Sequence, residues 1–529
     1  MRISELTQAI VPQRTDSVGT DIGRDSSHSA AAHGSADPDI TSIHCRAQDV
    51  LPGGLFVAVP GMAVDGHDFI DMAIDKGAAA IVSQKALRVP NGTVAIEVPN
   101  TRAALAALAA QYYRHPSEKM TLVGITGTNG KTTTSYLVEQ ILEQAGLKVG
   151  VIGTINYRFG GKVYDNPVTT PESLDLQQIL ARMQTSGVSH AVLEVSSHAL
   201  ALHRVDSCWF DVGVFTNLTQ DHLDYHKSMD AYWSCKKKLF SEILRSGPKK
   251  EKSVAVINRD DPKGEELLQI GSLKKISFGH SPDNTLWPEK IGHDRSGIYG
   301  RIRTAEGGFD FRSALVGEHN QENILCAAAV GLALKVPLDR IKAGIQRVTH
   351  IPGRLEAIPN RRDRYVFVDY AHTPDALQNV IAALSAISQK KLICVFGCGG
   401  DRDKDKRPIM GRIAASLCDL SIVTSDNPRS EPPLEIIDQI LAGVRQVCQK
   451  QYRPSELLNG FEHRGVAIEP DRKNAIRLAV AASRPGDTVL IAGKGHETYQ
   501  ILGNRTIAFD DRQEAKSALS ADRTKTPGG

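Results

Sequence analysis

The sequence lacks long apolar runs and has almost no charge imbalance. No stretch of the 529 residues reaches the roughly 20 apolar residues of a membrane-spanning helix. The N-terminus also lacks the apolar segment typical of a secretory signal. The formal net charge is +3, so no nucleic-acid or anionic-membrane surface is expected. We therefore expect a cytoplasmic protein that binds neither membranes nor nucleic acids.

Closely spaced cysteine pairs are also missing. The eight cysteines are scattered and form no CxxC motif, which argues against a disulfide-stapled scaffold and favours free thiols. The chain does have the composition of an ordinary globular protein, with 41% hydrophobic and 23% charged residues. At roughly 150 residues per domain, its length suggests about three domains.

Short apolar segments alternate with helical patterns along the chain. Such alternation predicts an α/β fold with mainly parallel sheets. Strands are predicted at residues 55–61, 78–82, 93–100, 121–126, 149–153, 191–195, 212–218, 254–258, 365–370, 391–397, 420–427 and 488–495. A small β excursion is predicted at 284–314, and helices at 69–76, 101–113 and 323–336.

The same patterns predict three domains, at residues 1–117, 118–349 and 350–529. Residues 14–39 are rich in Ser, Asp and Gly and poor in large apolar residues, so we predict a mobile loop there. The C-terminal tail SADRTKTPGG is expected to fray.

A glycine-rich turn follows the apolar segment TLVGIT and precedes a helical pattern. Strand, glycine turn and helix N-terminus together suit a triphosphate, because backbone N–H groups can approach its phosphates. Lys131 can reach the β- and γ-phosphates, and the Thr132 hydroxyl can ligate Mg²⁺. Ile125 stands where the strict GxxxxGK[ST] pattern requires its first glycine, and a turn that merely caps the helix is the alternative. The predicted ATP loop comprises Gly127, Thr128, Asn129, Gly130, Lys131, Thr132 and Thr133.

Polar residues follow two further predicted strands. Glu194 ends the strand AVLEV, where a carboxylate suits Mg²⁺; a surface glutamate is the alternative. In TNLTQDHLDYH, His222 or Asp221 could hold a second Mg²⁺. The i,i+4 pair of His222 and His226 is a weaker pattern for zinc, and His226 more readily fits a structural or solvent-facing role. On spacing alone, the lysines of YWSCKKKLF (232–240) predict a solvated helix face.

The order of the motifs resembles the Mur ligase family, and within it the ligases that add 2,6-diaminopimelate. The matching segments are PGGLFVA, DGHDFI, GTNGKTTT, TTPES, EVSSHAL, TNLTQDHLDYH, KKKLF, GEHNQEN, PGRLE, VDYAHTPDAL, FGCGGDRDKDKRP, DNPRSEPP and GKGHE. The resemblance covers nearly the whole chain. It implies a small N-terminal α/β domain for the nucleotide sugar, a central P-loop ATPase with a parallel sheet, and a mobile C-terminal Rossmann-like domain. It also implies ATP and Mg²⁺ as cofactors, and we expect a monomer.

The resemblance further implies roles for residues around the nucleotide. Lys236 matches a carbamylated lysine (N6-carboxylysine), which would join Thr132, Glu194 and His222 as a metal ligand. Lys237 and Lys238 keep the solvated interpretation. Further matches at the nucleotide are Asn320, Asn323, Arg354 and Asp369.

Each of these matches has a structural alternative. Asn320 and Asn323, which match asparagines near the adenine, could instead cap a helix. Asp369, which with Arg354 would bring the C-terminal domain to the nucleotide, could be a turn residue. His372 resembles an active-site polar residue whose role the sequence does not define.

For the acceptor substrate, UDP-N-acetylmuramoyl-L-alanyl-D-glutamate, the implied contacts are Cys45, Thr169, Thr170, Ser196 and Arg204. The family usually has Asp-Ser-Arg in the first domain, where this chain has His44-Cys45-Arg46. Because a thiol is a weaker hydrogen-bonding group than a hydroxyl, we expect a weaker uridine contact from Cys45 than from the serine usual in the family.

For the amino acid, meso-diaminopimelate, the implied contacts are Arg402, Asp426, Asn427, Pro428, Arg429, Gly493 and Glu497. A planar guanidinium at Arg429 can bind the second carboxylate that distinguishes diaminopimelate from lysine. A proline turn with an Asx cap is the alternative for residues 426–428, and a solvated side chain is the alternative for Glu497.

The implied reaction is formation of an amide through an acyl phosphate, with ATP as phosphoryl donor. The sequence does not identify the base that deprotonates the attacking amine. Two other functions stay open from the sequence: a ligase like folylpolyglutamate synthetase, and a catalytically silent nucleotide-binding protein.

Overall fold

Three β-sheets follow one another along the chain, and helices pack against each of them. The computed structural model describes residues 1–10, 31–33, 37–61, 64–294, 296–305, 307–361 and 363–521. Within those residues the sheets have five, eleven and seven strands, and a two-stranded hairpin lies near the C-terminus. The predicted α/β class with mainly parallel sheets is confirmed. The exact domain limits at 117/118 and 349/350 stay predictions.

The N-terminal sheet has the strand order β1-β5-β4-β3-β2, with β2 to β5 parallel and β1 antiparallel to β5. Its strands are β1 (Ala31–His33), β2 (Ile43–His44), β3 (Leu55–Val57), β4 (Ala80–Ser83) and β5 (Val94–Glu97). Its helices are α1 (Ile3–Thr7), α2 (Ile70–Asp75) and α3 (Thr101–Tyr112). The Asn100 side chain accepts hydrogen bonds from the N–H groups of Arg102 and Ala103, which explains why α3 begins there.

The predicted loop at 14–39 is wrong where it meets this sheet. Ala31–His33 form a strand because they pair in register with residues 95–97 of β5. Residues 14–30 and 34–36 of that predicted loop lie outside the described residues, as do residues 522–529 of the tail.

The central sheet has the order β16-β15-β14-β13-β12-β11-β6-β10-β7-β8-β9. Its strands are β6 (Thr121–Thr126), β7 (Val149–Ile152), β8 (Tyr157–Phe159), β9 (Lys162–Tyr164), β10 (His190–Glu194), β11 (Val212–Phe215), β12 (Val254–Asn258), β13 (Lys274–Phe278), β14 (Leu286–Asp294), β15 (Gly297–Thr304) and β16 (Gly307–Ser313). The helices are α4 (Lys131–Gln144), α5 (Ser173–Thr185), α6 (Ser197–Ala201), α7 (Leu223–His226), α8 (Met229–Ser241), α9 (Pro262–Leu268), α10 (Glu318–Ala333) and α11 (Leu338–Arg347). The antiparallel strands β14 to β16 confirm the β excursion predicted at 284–314.

The C-terminal sheet has the order β17-β18-β23-β19-β20-β22-β21, and only β17 runs antiparallel to its neighbour. Its strands are β17 (Glu356–Ala357), β18 (Tyr365–Asp369), β19 (Leu392–Phe396), β20 (Leu420–Val423), β21 (Gln451–Tyr452), β22 (Gly465–Ile468) and β23 (Thr488–Ala492), and the separate hairpin consists of β24 (Tyr499–Leu502) and β25 (Arg505–Ala508). The helices are α12 (Pro374–Ile387), α13 (Lys406–Leu417), α14 (Pro433–Val444), α15 (Arg472–Ala482) and α16 (Asp511–Ala521).

The three central strands β11, β6 and β10 are adjacent, parallel and almost fully buried. Their carboxyl ends therefore meet at one edge of the sheet, at Thr126, Glu194 and Phe215. Ligands of open α/β sheets bind at this edge, where the strand order reverses. The residues predicted for ATP and Mg²⁺ follow these strand ends.

Two predictions about the chain as a whole can be compared with the structure. All eight cysteines lie among the described residues and are free, which confirms the free-thiol prediction. In the portion of the chain that the structure describes, no helix combines the length and apolarity needed to cross a bilayer.

The packing of α11 on α4 leaves no space for a side chain at Gly344. A Cβ there would lie 2.4 Å from the Cα of Ile141 in α4, and backbone cannot give way as a flexible side chain can. Gly344→Ala should therefore lower the midpoint of thermal unfolding, because overpacking costs about 1–3 kcal/mol and outweighs the gain in helix propensity, about 1 kcal/mol.

The matched control is Gly271→Ala, because a Cβ at the exposed Gly271 meets nothing within 4 Å. Both variants would be compared with the unmodified chain by differential scanning calorimetry. A Gly344→Ala protein that melts at or above the temperature of the control would contradict the close helix contact.

Candidate active site

The loop between β6 and α4 has a backbone that only glycine can provide at two positions. Gly127 has φ +144°, and a Cβ there would lie 1.9 Å from Oγ1 of Thr216. Gly130 has φ +85°, and its Cβ would lie 2.2 Å from Oδ1 of Asn323. The loop and the first turn of α4 line a cavity of about 230 Å³. All seven residues predicted for the ATP loop lie between the end of β6 and this first turn.

Two lysines converge on the carbonyl groups of this loop. The Lys131 ammonium donates to the backbone oxygens of Gly127 and Thr128, at 2.9 and 2.8 Å. The Lys236 ammonium donates to the same Gly127 oxygen at 2.8 Å. Lys236 is only 1% exposed, so the prediction of a solvated helix face is wrong for this residue. Burial lowers the pKa of both amines, and the nearby Lys131 charge lowers the pKa of Lys236 further.

Glu194 is hydrogen-bonded to two threonines that line this cavity. It accepts hydrogen bonds from the hydroxyls of Thr132 and Thr154, at 3.0 and 2.8 Å, and from the Thr154 N–H at 3.1 Å. The residue is 1% exposed, so the alternative of a surface glutamate is wrong. A buried carboxylate beside a threonine hydroxyl provides hard oxygen donors, which fit a Mg²⁺ ion.

His222 and Asp221 form a second polar pair at this cavity. The His222 Nε2 is 3.3 Å from an Asp221 carboxylate oxygen, and burial lowers the pKa of His222 to about 4. The imidazole is therefore neutral near pH 7, as a metal ligand must be. Both residues line the cavity.

The predicted metal ligands do not form a conventional cluster of acidic, histidine and cysteine side chains. Among the described residues, no group of three or more His, Cys, Asp or Glu is arranged to hold a metal ion. The predicted set contains only two residues of these types, Glu194 and His222. The i,i+4 partner His226 is buried and hydrogen-bonds to the Ser197 hydroxyl at 2.9 Å, in agreement with a structural role.

The two asparagines predicted near the adenine lie in the first turns of α10. Asn323 lines the cavity, whereas Asn320 donates to the Val316 oxygen at 2.7 Å and accepts from the Asn323 amide at 2.9 Å. Gly317 precedes the helix as its N-cap. The helix-capping alternative is therefore wrong for both asparagines.

The C-terminal domain reaches the same cavity through Arg354 and Asp369. An Arg354 N–H donates to the Thr132 hydroxyl at 3.4 Å. Asp369 lines the cavity and also accepts from the N–H groups of Leu355 and Ala371, at 2.6 and 2.8 Å. Asp369 is thus a turn residue, which was the structural alternative, and it also lines the cavity.

A second contact joins the phosphate loop directly to α12. The side-chain amide of Asn129 donates to the Asp375 carboxylate at 3.0 Å and to the Thr219 hydroxyl at 3.2 Å. Both domains therefore hold the same loop residue.

The residues predicted for the acceptor substrate form a connected group, except for Cys45. The Thr170 hydroxyl donates to the Glu194 backbone oxygen at 2.8 Å and accepts from the Ser196 N–H at 3.0 Å. An Arg204 N–H donates to the Thr170 oxygen at 3.0 Å, and the Thr169 hydroxyl lies 3.1 Å from that of Thr154. Cys45 lies in the N-terminal domain, where burial and the Glu172 charge raise its pKa to about 11.

A larger cavity, of about 1090 Å³, lies between the central and C-terminal domains. Six of the seven residues predicted for the amino acid line it, namely Arg402, Asp426, Asn427, Arg429, Gly493 and Glu497. The predicted set alone therefore brings two guanidinium groups and two carboxylates to one space, as a ligand with both charges would require.

The loops that carry these residues are bound to one another. The Arg429 guanidinium donates to the Gly400 oxygen at 2.7 Å, and the Gly400 N–H donates to the Asn427 oxygen at 2.9 Å. The Asn427 amide donates to the Glu497 carboxylate at 2.9 Å. Asn427 accepts from the N–H of Ile501 rather than capping its own turn. The Asx-cap and solvated-Glu497 alternatives are therefore wrong.

The hairpin β24–β25 is hydrogen-bonded to the segment 426–429, which carries Asp426 and Arg429. Arg429 has φ +52°, and its N–H donates to the Ile501 oxygen at 3.2 Å. Its oxygen accepts from the Gly503 N–H at 2.8 Å, while the Gln500 amide donates to the Asp426 oxygen at 2.6 Å. The sequence analysis missed this hairpin, whose second strand is exposed along its whole length.

Two buried cations near the larger cavity were also missed. Lys494 is fully buried, and its ammonium donates to Glu497 at 2.9 Å and to Asn427 at 3.0 Å. Arg407 is fully buried and forms two 2.9 Å hydrogen bonds to Glu431, which lower the pKa of that carboxyl to about 2. Both cations lie within segments already matched to the family: Lys494 in GKGHE and Arg407 in FGCGGDRDKDKRP. These segments could therefore have indicated them.

Removal of the Lys494 charge should destabilise the C-terminal domain. Lys494→Met leaves Glu497 and the nearby Asp426, 3.8 Å away, without their cation. Breaking a buried ion pair in this way costs about 3–5 kcal/mol, so the midpoint of thermal unfolding should fall.

The double variant Lys494→Met/Glu497→Gln should recover part of that loss, because the unpaired carboxylate is gone. Calorimetry of the two single variants, the double variant and the unmodified chain measures this coupling. Strictly additive losses would contradict a direct interaction between Lys494 and Glu497.

Three family descriptions match the chain in sequence order. They are Mur ligase family, catalytic domain, at residues 39–113; Mur ligase middle domain, at 125–331; and Mur ligase, glutamate ligase domain, at 353–495.

Curated and solved relatives cover almost the whole chain. A protein of Geobacter metallireducens (strain ATCC 53774 / DSM 7210 / GS-15) named UDP-N-acetylmuramoyl-L-alanyl-D-glutamate--2,6-diaminopimelate ligase is 47% identical over 497 residues, which are 94% of this chain and 97% of that protein. A protein of the same name from Geobacter sulfurreducens (strain ATCC 51573 / DSM 12127 / PCA) is 46% identical over 489 residues, 92% of this chain and 96% of that protein. A solved structure of a ligase of that name is 30% identical, with a TM-score of 0.65 over 92% of this chain and 95% of that chain. The chain therefore belongs to the Mur ligase family.

Proposed function

We propose that the chain joins meso-2,6-diaminopimelate to UDP-N-acetylmuramoyl-L-alanyl-D-glutamate, with cleavage of ATP to ADP and phosphate. The product is a precursor of peptidoglycan, and the proposed reaction takes place in the cytoplasm. One observation carries the proposal: the phosphate-loop cavity and the larger cavity share lining residues and so adjoin. The names of the relatives support the same reaction.

The first step activates a carboxylate. The γ-carboxylate of the D-glutamate attacks the γ-phosphorus of ATP, which gives an acyl phosphate and releases ADP. Phosphoryl transfer depends mainly on positioning and on charge stabilisation. The loop backbone and the Lys131 ammonium, at the N-terminus of α4, supply both.

The residues present fit a Mg²⁺ ion, because Thr132 and Glu194 hold hard oxygens 3.0 Å apart and the neutral His222 lines the same cavity as Thr132. These three side chains, with Lys236 as a carbamate, would hold the ion. When bound, it supplies positive charge against the phosphate oxygens. Formation of the carbamate requires a neutral amine, and complete burial of Lys236 favours that form.

The acceptor substrate would lie along the group of Thr169, Thr170, Ser196 and Arg204, beside Glu194. Thr169 and Ser196 line the phosphate cavity, where the reacting carboxylate must be, and Thr170 and Arg204 are hydrogen-bonded into the same group. In the N-terminal domain, the burial of Cys45 keeps its thiol neutral, so it can offer only a weak contact to the uridine.

The amino acid would occupy the larger cavity. Arg402 and Arg429 suit the two carboxylates of diaminopimelate, and Glu497 suits an ammonium group. Lysine lacks the second carboxylate and would leave a guanidinium unpaired, which is a strong basis for rejection. In the second step the amine attacks the acyl carbon and phosphate leaves. An enclosed site protects the acyl phosphate from water.

A panel of substrates tests this proposal. The purified chain is incubated with ATP, Mg²⁺ and UDP-N-acetylmuramoyl-L-alanyl-D-glutamate, and phosphate release is measured with diaminopimelate, lysine or no amino acid. A parallel incubation replaces the nucleotide substrate and the amino acid by a folate and glutamate. We expect amino-acid-dependent release only with diaminopimelate. Release only with a folate and glutamate would support a ligase like folylpolyglutamate synthetase, and no release with any combination would support a silent nucleotide-binding protein.

The Arg429→Met variant separates recognition of the amino acid from use of ATP. Truncation of one partner of a buried charge pair costs about 2–5 kcal/mol, so kcat/KM for diaminopimelate should fall at least about 30-fold. The KM for ATP should change little, because Arg429 lines only the larger cavity.

The matched control is Arg445→Met, which removes an exposed arginine paired with Asp438 in the same domain. Steady-state kinetics with each substrate varied in turn would compare the two variants. An equal loss for ATP and for diaminopimelate in Arg429→Met would remove this residue from amino-acid recognition.

A further inference from the structure

The proposed reaction needs a group that accepts a proton from the attacking amine. Such a group must face both the activated carboxyl and the amino acid. Five residues line both cavities: Asp221, His222, Tyr370, His372 and Thr373. The inference that follows rests on the proposed function and concerns which of these five accepts the proton.

Four of the five are unsuited to this role. The Asp221 carboxylate accepts a hydrogen bond from the His222 backbone N–H at 2.8 Å and lies 3.3 Å from the His222 ring. His222 itself belongs to the proposed Mg²⁺ set. Burial raises the pKa of Tyr370, so its hydroxyl holds its proton. The Thr373 hydroxyl accepts from the Ala376 N–H and caps α12.

The tautomer of His372 is fixed by its hydrogen bond. Its Nδ1 lies 2.8 Å from the backbone oxygen of Tyr370. A carbonyl oxygen can only accept, so Nδ1 carries the proton and Nε2 carries the lone pair. Among the described residues, no hydrogen-bond partner occupies Nε2. The Tyr370 ring packs against the imidazole with centroids 4.7 Å apart and restricts its orientation.

We propose that His372 is the general base for amide formation. The diaminopimelate nitrogen forms a bond to the acyl carbon while its surplus proton moves to Nε2 of His372. The carbon–oxygen bond to the phosphate then breaks, and the electron pair leaves on the phosphate. The imidazolium returns its proton to the departing phosphate or to solvent, so the base is regenerated in each cycle.

The surroundings keep this imidazole ready to accept a proton. Burial, assisted by the Lys406 charge, lowers the pKa of His372, so the ring is neutral near pH 7. The Lys406 ammonium donates to the His372 backbone oxygen at 2.8 Å. The Arg354 charge also lowers the pKa of His372, whereas the Asp221 carboxylate raises it. The His496 ring lies on Tyr370, with centroids 4.9 Å apart.

The experiment compares two nucleophiles in the same variant. In His372→Asn, the side-chain amide can still donate to the Tyr370 oxygen, but the basic nitrogen is lost. We expect kcat for diaminopimelate ligation to fall roughly 10²- to 10⁴-fold, the usual contribution of a general base. The KM for diaminopimelate should stay near its original value.

Hydroxylamine is the second nucleophile, because near neutral pH it is already unprotonated and needs no base to attack an acyl phosphate. The rate of hydroxamate formation from ATP and UDP-N-acetylmuramoyl-L-alanyl-D-glutamate should therefore change less than about tenfold in His372→Asn. The same hydroxamate assay shows that the variant is folded and still makes the acyl phosphate. His372→Gln provides a second variant with the same expectation.

Thr373→Val is the structural control, because it weakens the cap of α12 without removing a base. It should leave the ratio of the two rates unchanged, even if both rates fall. Equal losses with both nucleophiles in the His372 variants would overturn the assignment of a general base and leave His372 a structural residue. Absence of hydroxamate with the unmodified chain would instead overturn the acyl-phosphate reaction, and the present proposal with it.

Discussion

The active site depends on the close approach of the glycine backbone of the phosphate loop to two neighbouring side chains. Gly127 lies against Thr216, and Gly130 lies against Asn323, with no space for a Cβ at either position. Because the loop is held this tightly between β11 and α10, the carbonyl groups that receive Lys131 and Lys236 have fixed positions. The order β11-β6-β10 then brings Glu194 to the same edge of the sheet.

Much of the central site could be predicted from local sequence. The segment from TLVGIT to GKTT contains strand, turn and helix signals within a few residues, and the structure has those elements at those positions. Glu194 was found because it ends an apolar strand. In contrast, spacing alone suggested that Lys236 is solvated, since the sequence of a helix does not reveal which of its lysines faces a neighbouring loop.

The features that were missed depend on contacts between distant parts of the chain. The role of Lys494 depends on its hydrogen bond to Asn427, which lies 67 residues earlier in the chain. Strand β25 is short and exposed, so it has no alternating apolar pattern, and Ala31–His33 are recognisable as a strand only through their pairing with β5. In each case the deciding interaction is a tertiary contact without a local signal.

The hairpin β24–β25 has a consequence for how relatives of this chain could change their preferred amino acid. It holds Arg429 in a left-handed backbone conformation through hydrogen bonds on both sides of the residue, although it contributes no residue to the larger cavity. A change of length or sequence in this exposed segment would redirect the guanidinium without any substitution among the lining residues. The preferred amino acid could therefore change through substitutions in an exposed hairpin, while the residues facing the ligand stay the same.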